Sequence, residues 1–586
     1  MEIIILDSGV CRKHPKFRNT KIEGYALEYN EKKNECRKIS EIEDHIGHGT
    51  AVYDIIRQNT SDVTVKMIKI FDNSIELSEE AFYAALLYVY ENENPDILNL
   101  SLGLTYCENI PRLYKLCKNL YNRNVLIVSA FDNNGAISYP ASFDCVYGVM
   151  GTSQISNVKE IGLVKNSCVN ILAKGTTSKL AWNSPEYIFM SSNSFSCAFA
   201  CAAICNLILQ GRLSKEDIPI TNEQLTVKRK PSFQIKKAAV FPFNKEMHSL
   251  IRFAHLLDFE IVDVYDHKLS GRVSSTTGRI LNLKDSLDFQ IKNIDNIEWD
   301  KFDTLILGHL EELSILVRNN TLKNALIDIA LQKGKNIYSF DPCERLENIY
   351  FPEVTTEYVP KNHFGKLYKI NKPVLGIFGT SSKQGKFSLQ LTLRELLEKQ
   401  DYYVGQLGTE PTSYLFGMDE IFPYGYSSTI KLSEEEVLIY LNRQMQSIAS
   451  SDCDLILIGG QSAVISYDLN NTSQFIPYQN TFITATCPDT IVLTVSPQDT
   501  VEYIERTIKY LESVTEATVI AICLFPIKLT TISELDIMGR PLLLTKDELY
   551  YYQRHLEKSL NKKVYILGHE NDMEELVKDI ISFFSN

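Results

Sequence analysis

Residues 2–9 read EIIILDSG, and this stretch decides the fold of the first region of the chain. A run of large apolar residues that ends directly in Asp7-Ser8-Gly9 is typical of a buried parallel strand followed by a polar turn. Ligand sites in open α/β sheets lie at the carboxyl ends of strands. We therefore expect Asp7 to lie at a functional edge of the sheet.

Strands and helices alternate around this stretch. Residues 1–212 contain further strands such as NVLIVSA and helices such as SEEAFYAALLYVYEN, which predicts a parallel sheet covered by helices. A polar stretch with two prolines at 213–236 reads as a linker. The alternation resumes at 237–370, predicting a small Rossmann-like domain, and at 371–586, predicting a third α/β domain with a glycine-rich loop after its first strand.

Composition restricts the possible functions. A chain of 586 residues is expected to hold about three or four domains. Its net charge of −13 disfavours binding to nucleic acid or anionic lipid by a general electrostatic field, so peptide or small-molecule substrates fit better. With neither a signal peptide nor a membrane span in the sequence, we expect a cytoplasmic protein without membrane insertion.

The cysteines predict no metal site. The thirteen cysteines are scattered without a CxxC pair, and we expect most of them to be reduced and buried. Cys197, Cys201 and Cys205 recur at helical spacing and could in principle hold a metal along one helix face. Their alanine neighbours favour the alternative, packing of a helix of small residues.

Two further motifs supply a possible base and a possible nucleophile. Gly47-His48-Gly49-Thr50 places a histidine at the start of a helix between flexible glycines, whereas His45 lacks the following Gly-Thr and is expected at the surface. The segment SFSCA at 194–198 opens a small-residue helix, where the helix dipole favours developing negative charge at Ser196. The chain order is Asp, His, Ser.

This order, together with DSG at 7–9, HGT at 48–50, NLSLG at 99–103 and YPAS at 139–142, resembles the subtilisin-like peptidases. The resemblance covers about 200 residues, with SFSCA in place of the family's GTSxA.

The resemblance implies the following roles. Asp7 orients His48, His48 takes the proton of Ser196, and Asn133 together with the Ser196 amide stabilises the oxyanion. The implied substrate contacts are Ser101, Leu102, Gly103, Ala130 and Asp132.

Departures from the family pattern predict an unusual substrate preference. Ser194-Phe195 replaces Gly-Thr before the predicted nucleophile, and Phe131-Asp132 replaces small residues along the primary specificity pocket. Asp132 either brings negative charge to the pocket and favours a basic substrate residue, or points away and caps a turn. Because the first strand begins at Glu2, we expect no N-terminal inhibitory propeptide.

The loop GTSSKQGKFS at 379–388 follows a strand and precedes a helix, as a phosphate-binding loop does. Its Gly-x5-Gly-Lys spacing resembles dethiobiotin synthetase and a family of uncharacterised P-loop proteins, a similarity that continues at 404–411, 455–463 and 488–499. The predicted nucleotide-binding residues are Gly379, Thr380, Gly385, Lys386 and Ser388.

Two substitutions bear on catalysis at this loop. Phe387 stands where a magnesium-binding Ser or Thr usually follows the lysine, although Ser388 is a possible substitute, and Gly459 stands where the relatives have a glutamate. We expect binding of ATP or another nucleotide with Mg²⁺ rather than hydrolysis. Proteolysis itself is expected to need no cofactor.

The segment AAVFPFNKE at 238–246, followed by the P-loop domain, resembles proteins of systems that mature ribosomally made peptides. The leading hypothesis is a subtilisin-like endopeptidase that removes the leader of a precursor peptide, with peptide-modifying enzymes as possible partners and no role for nucleic acid. The C-terminal half would regulate the protease or recognise the substrate. The alternative is a P-loop nucleotide-binding or ligase-like protein with a vestigial protease domain.

Overall fold

The computed structural model describes residues 1–18, 20–165, 167–214, 217–218, 230–281, 288–359, 364–425, 428, 430–467, 477–530 and 540–585. The chain forms two compact units. The first comprises Met1–Leu225 and Pro360–Asn371, and the second comprises Thr226–Val359 and Lys372–Asn586. The predicted linker at 213–236 lies largely outside the described residues.

The first unit is built from eleven described strands and four described α-helices. The strands are β1 (Glu2–Asp7), β2 (Glu23–Asn30), β3 (Glu35–Ile39), β4 (Thr64–Lys69), β5 (Ile97–Leu100), β6 (Leu126–Ala130), β7 (Tyr147–Thr152), β8 (Gly162–Leu163), β9 (Ile171–Lys174), β10 (Ser178–Ala181) and β11 (Tyr187–Met190). The helices are α1 (His48–Asn59), α2 (Glu79–Asn92), α3 (Ile110–Asn122) and α4 (Asn193–Leu209).

The first nine strands form one sheet in the order β3-β2-β4-β1-β5-β6-β7-β9-β8. Strand β1 is parallel to both β4 and β5, so the chain winds away from it in two directions. The carboxyl end of β1 is therefore a topological switch point, where open α/β sheets place their sites. Asp7 is the last residue of this strand, as the sequence predicted.

Helix α4 crosses the middle of this unit. Its amino end is capped by Ser192, whose Oγ accepts a hydrogen bond from the amide of Phe195. The helix is apolar all round and buried from Phe195 to Cys205, as expected for a helix packed within a core. Its small side chains allow it to contact α1 and the strands β5, β6, β7 and β9.

The second unit contains two parallel sheets with their helices. Its described strands are β12 (Lys237–Phe241), β13 (Glu260–Asp266), β14 (Ile291–Asn293), β15 (Thr304–Leu307), β16 (Asn336–Ser339), β17 (Ile349–Tyr350), β18 (Val374–Gly379), β19 (Val404–Gly408), β20 (Glu420–Ile421), β21 (Leu455–Gly459), β22 (Thr490–Val495), β23 (Thr518–Leu524), β24 (Ile527–Thr530), β25 (Arg540–Leu543) and β26 (Lys563–Ile566).

The α-helices described in this unit are on average shorter in the middle domain than in the P-loop domain. They are α5 (His248–Arg252), α6 (Thr277–Leu281), α7 (Glu311–Leu316), α8 (Leu322–Gln332), α9 (Lys386–Glu398), α10 (Glu434–Ala449), α11 (Gln479–Thr486), α12 (Val501–Val514), α13 (Lys546–Leu560) and α14 (Glu570–Phe584).

The sheet of the middle domain has the order β14-β13-β12-β15-β16-β17, and the sheet of the P-loop domain has the order β20-β19-β21-β18-β22-β23-β26. The two domains share one hydrophobic core, in which Val240 and Tyr338 of the first sheet pack with Leu391 and Phe416 of the second domain. The α/β fold with parallel sheets is confirmed. Among the described residues, no helix has the length and apolar character needed to cross a bilayer.

Candidate functional site

Asp7 and His48 form a buried pair at the carboxyl end of β1. The Nδ1 atom of His48 lies 2.8 Å from Oδ1 of Asp7, and the same carboxylate oxygen accepts a hydrogen bond from the amide of Ser8. Burial alone would lower the pKa of His48, but the charge and hydrogen bond of Asp7, with the charge of Asp44, raise it above its ordinary value. The imidazole is thereby oriented with Nε2 available for chemistry.

Asp44, which was not singled out in the sequence, builds the loop that presents His48. Its Oδ1 accepts hydrogen bonds from the amides of Ile46 and Gly47, and its Oδ2 accepts from the amide and hydroxyl of Thr50. The hydroxyl of Ser8 donates to Asp44 and accepts from the amide of Gly49, which ties this loop to β1. Asp44 could have been found from the sequence, because an aspartate before a turn commonly accepts hydrogen bonds from the backbone amides that follow it.

Glycines in the two motifs are required by close backbone contact. Gly9 has a φ of +108°, and a Cβ there would lie 2.4 Å from the carbonyl oxygen of Ile42. A Cβ on Gly49 would lie 2.4 Å from the carbonyl oxygen of Gly9. His45, the competing histidine, is exposed as expected.

Ser196 is not brought to His48. Its hydroxyl is 1% exposed and lies 2.8 Å from the carbonyl oxygen of Lys174 and 3.1 Å from that of Ser192. Its amide donates to the Ser192 carbonyl within the helix, so that amide is also engaged. The predicted roles of Ser196 as nucleophile and oxyanion donor are therefore not those seen in the structure. Ser196 is a packing residue of α4 that faces β9.

Ser194 lies two residues before Ser196, in the first turn of α4. Two residues along an α-helix turn the side chain by about 200°, so Ser194 and Ser196 lie on different faces of α4. Ser194 is only partly buried, and in the described part of the chain its hydroxyl has no hydrogen-bond partner. The next residue, Phe195, packs its ring 5.4 Å from the ring of His48.

The backbone around Ser194 leaves one amide free for an oxyanion. Helix α4 begins at Asn193, whose amide donates to Oδ1 of Asn133 at 2.8 Å, and the amide of Phe195 donates to its cap, Ser192. Among the described residues no acceptor faces the amide of Ser194 between them. Asn133 is thus fixed beside Ser194 through its oxygen, with its Nδ2 left to donate.

Asn193 itself holds the neighbouring strands in place. Its side chain accepts a hydrogen bond from the amide of Gly151 and donates to the carbonyl of Asp132. This one side-chain amide therefore joins the start of α4 to β7 and to the segment that carries Asn133. The family's sequence pattern did not predict this contact, because it has glycine and threonine, and not asparagine, before the nucleophile.

The predicted substrate wall follows β5 and β6. Ser101 donates from its hydroxyl to the carbonyl of Ser194 at 2.9 Å, and Leu102 and Gly103 continue the chain towards the surface. A Cβ on Gly103 would lie 3.1 Å from the carbonyl oxygen of Ala130, the last residue of β6, so these two segments are in close contact.

Asp132 was given two alternative roles, and its contacts are those of a turn residue. Its Oδ2 accepts a hydrogen bond from the amide of Asn134 at 2.8 Å. Its own amide donates to the hydroxyl of Ser138 at 2.7 Å. The carboxylate therefore caps the turn that follows β6.

A segment that follows the middle domain in the sequence completes the first unit. Residues 364–371, which we call the strap, lie against the segments that follow β5 and β6, which we call the specificity wall. The carbonyl of Leu367 accepts a hydrogen bond from the amide of Ile137, and Asn371 donates to the carbonyl of Cys107. Lys366 is 5% exposed, and its ammonium lies 5.0 Å from the centre of the Phe131 ring. The sequence had placed this segment at the end of the middle domain.

The three cysteines of α4 are packing residues. Cys197, Cys201 and Cys205 are buried, and burial raises the pKa of each thiol. Such thiols are poor metal ligands, because a ligand must be a thiolate. Within the described ranges, no group of three or more His, Cys, Asp or Glu residues is arranged to hold a metal ion.

The phosphate-binding loop joins β18 to α9. Gly385 is in the left-handed region, with a φ of +74°, and the buried Lys386 donates to the carbonyl of Ser381 at 2.7 Å. Burial lowers the pKa of Lys386 to about 8, against the opposing charge of Glu410. Thr380 donates to the carboxylate of Asp499, which fixes the start of the loop.

The residues at this loop fit a phosphate better than they fit Mg²⁺. Phe387 packs on Phe416 of the shared core, so the usual magnesium ligand is replaced by a packing residue. A Cβ on Gly459 would lie 2.7 Å from Oε1 of Gln390, so a glutamate there would collide with this side chain. Ser388 is partly buried in the first turn of α9.

Two family models match the chain. Residues 2–229 match the subtilase family of peptidases, and residues 362–535 match a P-loop domain of unknown function, DUF1611. The first region is therefore a subtilisin-like serine peptidase domain, as the resemblance implied. The C-terminal region carries the P-loop domain.

Curated proteases resemble part of the chain. The membrane-bound transcription factor site-1 protease of Mus musculus is 28% identical over 168 residues, which are 27% of this chain and 15% of the relative. A thermophilic serine proteinase of Bacillus sp. strain AK1 is 23% identical over 224 residues, 36% of this chain and 53% of the relative. The chain thus spans less than two thirds of the length of either relative.

Solved structures resemble each region in turn. The nisin leader peptidase of Lactococcus lactis is 15% identical and covers 39% of this chain and 83% of its own, with a TM-score of 0.29. A DUF1611 family protein of Anabaena variabilis is 13% identical and covers 59% of this chain and 99% of its own, with a TM-score of 0.41.

Proposed function

We propose that the chain is a serine endopeptidase whose catalytic residues are Asp7, His48, Ser194 and Asn133. The observation that carries this proposal is the position of Ser194: it has an unengaged hydroxyl and amide, and it lies between Asn193, which is bound to Asn133, and Phe195, which packs on the His48 ring.

In the proposed reaction, His48 Nε2 takes the proton of the Ser194 hydroxyl as its oxygen attacks the peptide carbonyl. The Ser194 amide and Asn133 Nδ2 donate hydrogen bonds to the oxyanion of the tetrahedral intermediate. His48 then gives the proton to the leaving amine as the C–N bond breaks, which leaves the peptide esterified to Ser194. Water, deprotonated by His48, hydrolyses this ester, which frees the peptide as a carboxylate and restores the Ser194 hydroxyl. Asp7 keeps the imidazole in the required tautomer throughout.

A fluorophosphonate probe tests the nucleophile directly, because it reacts only with an activated serine. We expect the full chain to be labelled at Ser194, with labelling lost in Ser194→Ala and kept in Ser196→Ala. An unlabelled wild-type chain would support the alternative of a vestigial protease domain attached to a P-loop protein.

The proposed substrate is a dedicated precursor peptide from which a leader is removed. The proposal rests on the resemblance of the middle and P-loop domains to peptide-maturation proteins and on the fixed wall, in which Leu104 and Tyr139 pair and the strap lies behind Phe131. An extended peptide would bind along Ser101–Gly103 as an added strand. Enzymes that modify the same peptide are the proposed partners.

Cleavage of a proteome-derived peptide library tests this specificity. A dedicated protease gives a narrow consensus over several positions around the cut bond, measured by mass spectrometry of the products. Indiscriminate cleavage of the library would contradict a dedicated substrate while leaving the endopeptidase proposal intact.

The proposed compartment is the cytoplasm. Among the described residues no disulfide is formed, although Cys36 is only partly buried and Cys487 is exposed. Free thiols at such positions persist where the environment is reducing.

A further inference from the structure

The second unit brings functional groups of two sheets together. In the middle domain β12 lies between β13 and β15, and in the P-loop domain β18 lies between β21 and β22. The carboxyl ends of β12 and β18 are therefore switch points of their own sheets. Tyr338 of β16 donates to the carbonyl of Pro411, which follows β19. This hydrogen bond joins the two domains near the carboxyl ends of their strands, within one unit.

The middle domain contributes an oriented imidazole to this meeting point. His309 follows β15, and its Nδ1 lies 2.7 Å from Oδ1 of Asp341, which follows β16. The second oxygen of Asp341 accepts from the amide of Leu310, so the carboxylate is fixed from both sides. Burial opposes the charge of His309, but Asp341 outweighs it and raises the pKa of the imidazole. Its Nε2 has no partner in the described residues.

The P-loop domain contributes a carboxylate to this meeting point. Glu410 follows β19 and accepts a hydrogen bond from Gln461, which follows β21. Its carboxylate interacts electrostatically with three charged residues: Lys386 of the loop, and Lys245 and Glu246 of the middle domain. Glu410 also acts on the charge of His309, so the loop lysine and the imidazole share this carboxylate as a neighbour.

Two buried polar groups at this place have unused hydrogen-bonding capacity. The side-chain oxygen of Asn244, which follows β12, is buried without a partner, and its Nδ2 lies close to Gly308 beside His309. Lys386 is 8% exposed, and its ammonium donates one hydrogen bond, to Ser381. A buried acceptor and a buried ammonium with spare protons are costly unless a ligand satisfies them.

We propose that the place where the middle domain and the P-loop domain meet is a second binding site, for a ligand that carries a phosphate chain and a hydrogen-bond donor. The phosphate lies in the loop at Lys386. The rest of the ligand reaches His309 and Asn244, so both domains contact it. Nucleotides and free polyphosphates share the phosphate chemistry, and only the former add a donor group for Asn244.

This site differs from a phosphate loop acting alone. The shared core of the two domains, with Phe387 packed on Phe416 in place of a magnesium ligand, fixes the loop against the middle domain. In the proposal, Asp341 favours the protonated form of the His309 imidazole, and this form donates a hydrogen bond to the phosphates from the other domain. Binding therefore depends on His309 and Asn244, which precede the loop in the sequence and which a motif confined to the loop does not include.

Calorimetric titration of the full chain with ATP and, separately, with inorganic tripolyphosphate tests the proposal. We expect ATP to bind, Lys386→Met to weaken binding about a hundredfold and His309→Asn to weaken it about tenfold, the loss of one charge-assisted hydrogen bond. His255→Asn is the matched control: it removes an imidazole that pairs with Glu395 across the same two domains, on the far part of α9, and should leave affinity within about twofold.

The outcomes separate the ligand sources. Tighter binding of ATP than of tripolyphosphate supports a nucleotide with a donor at Asn244, and equal binding supports a polyphosphate. If neither probe binds at about millimolar concentration, the proposal is wrong. It is also wrong if Lys386→Met abolishes binding while His309→Asn matches the control. His309→Asn keeps the test decisive should Lys386→Met fail to fold.

Discussion

The ring of Phe195 lies 5.4 Å from the ring of His48, with 33° between their planes. This contact fixes the rotation of α4 about its axis at the catalytic site. With Phe195 against the histidine, the preceding residue faces the Asn133 side and the following residue faces β9, where Ser196 meets the carbonyl of Lys174. The proposal that Ser194 is the nucleophile rests on this rotation.

Replacing each serine of the pair separates catalysis from packing. We expect Ser194→Ala to lower kcat by at least about 10⁴-fold, since residual activity then comes from binding and the oxyanion site alone. Ser196→Ala should keep kcat within about tenfold and cost about 1–2 kcal/mol of stability, because it leaves a buried carbonyl without its donor. Peptide-cleavage kinetics and urea unfolding measure both; an inactive Ser196→Ala with an active Ser194→Ala would reverse the assignment.

The pH dependence reports the charge of Asp7 on His48. The base must be neutral, so activity is lost as pH falls through the pKa of His48. Because that pKa is raised, the acid limb of kcat/KM should lie above the ordinary histidine value of about 6.5.

Asp7→Asn supplies the companion measurement. The substitution removes the charge that raises the pKa of His48 and leaves the burial that lowers it. We expect kcat to fall about 10⁴-fold and the acid limb of the residual activity to move to lower pH. An unshifted limb would show that another group controls the profile.

Asn133 is expected to act on the transition state. Asn133→Ala removes one oxyanion donor and should lower kcat by about 10²–10³-fold with little change in KM. Asn134→Ala, at the next exposed position, is the matched control and should be neutral. A rise in KM at constant kcat would instead assign Asn133 to substrate binding.

The glycine of the DSG motif is expected to be irreplaceable. Gly9→Ala combines a positive φ with a Cβ 2.4 Å from the carbonyl oxygen of Ile42, whereas Gly135→Ala has a similar φ of +99° and nothing within 4 Å. Strain at such a φ costs about 1–3 kcal/mol in each, and the clash adds to it only at Gly9. Equal losses in thermal unfolding of the two variants would refute the contact.

The strap is expected to support activity. Tyr368 packs against both hydrophobic clusters beside the specificity wall, so Tyr368→Ala should destabilise the first unit by about 2–4 kcal/mol and lower kcat/KM. Tyr403→Ala, whose side chain is 73% exposed, should change neither. An unaffected protease in Tyr368→Ala would show that the strap has no part in forming the wall.

Local motifs predicted what depends on neighbouring residues. EIIILDSG and GHGT indicated Asp7 and His48 because a buried strand, a tight turn and a helix start are each encoded within a few positions. The sequence led to Ser196, whereas the proposed nucleophile is Ser194, because SFS offers two hydroxyls and the choice between them depends on the rotation of α4 about its axis. That rotation is set by Asn133 and Phe195, through contacts between residues that are distant in sequence or belong to other elements.

Segments that cross between units were also beyond local reasoning. The strap has no pattern of its own, and its place is fixed by Ile137 and Cys107, more than 200 positions earlier. Asp44 lay within reach of turn rules, since its carboxylate accepts from amides two and three residues later. The pairing of His309 with Asp341 required the order of strands in the middle sheet.

Because the strap is the last part of the first unit to be synthesised, the order of synthesis determines when that unit is complete. The ribosome finishes residues 1–225 and must then add the whole middle domain before residues 364–371 emerge. At about 5–20 residues per second, this interval is on the order of ten seconds. During this interval the newly made first unit lacks the strap, which lies against its specificity wall. The first unit is therefore completed only after the middle domain has been synthesised.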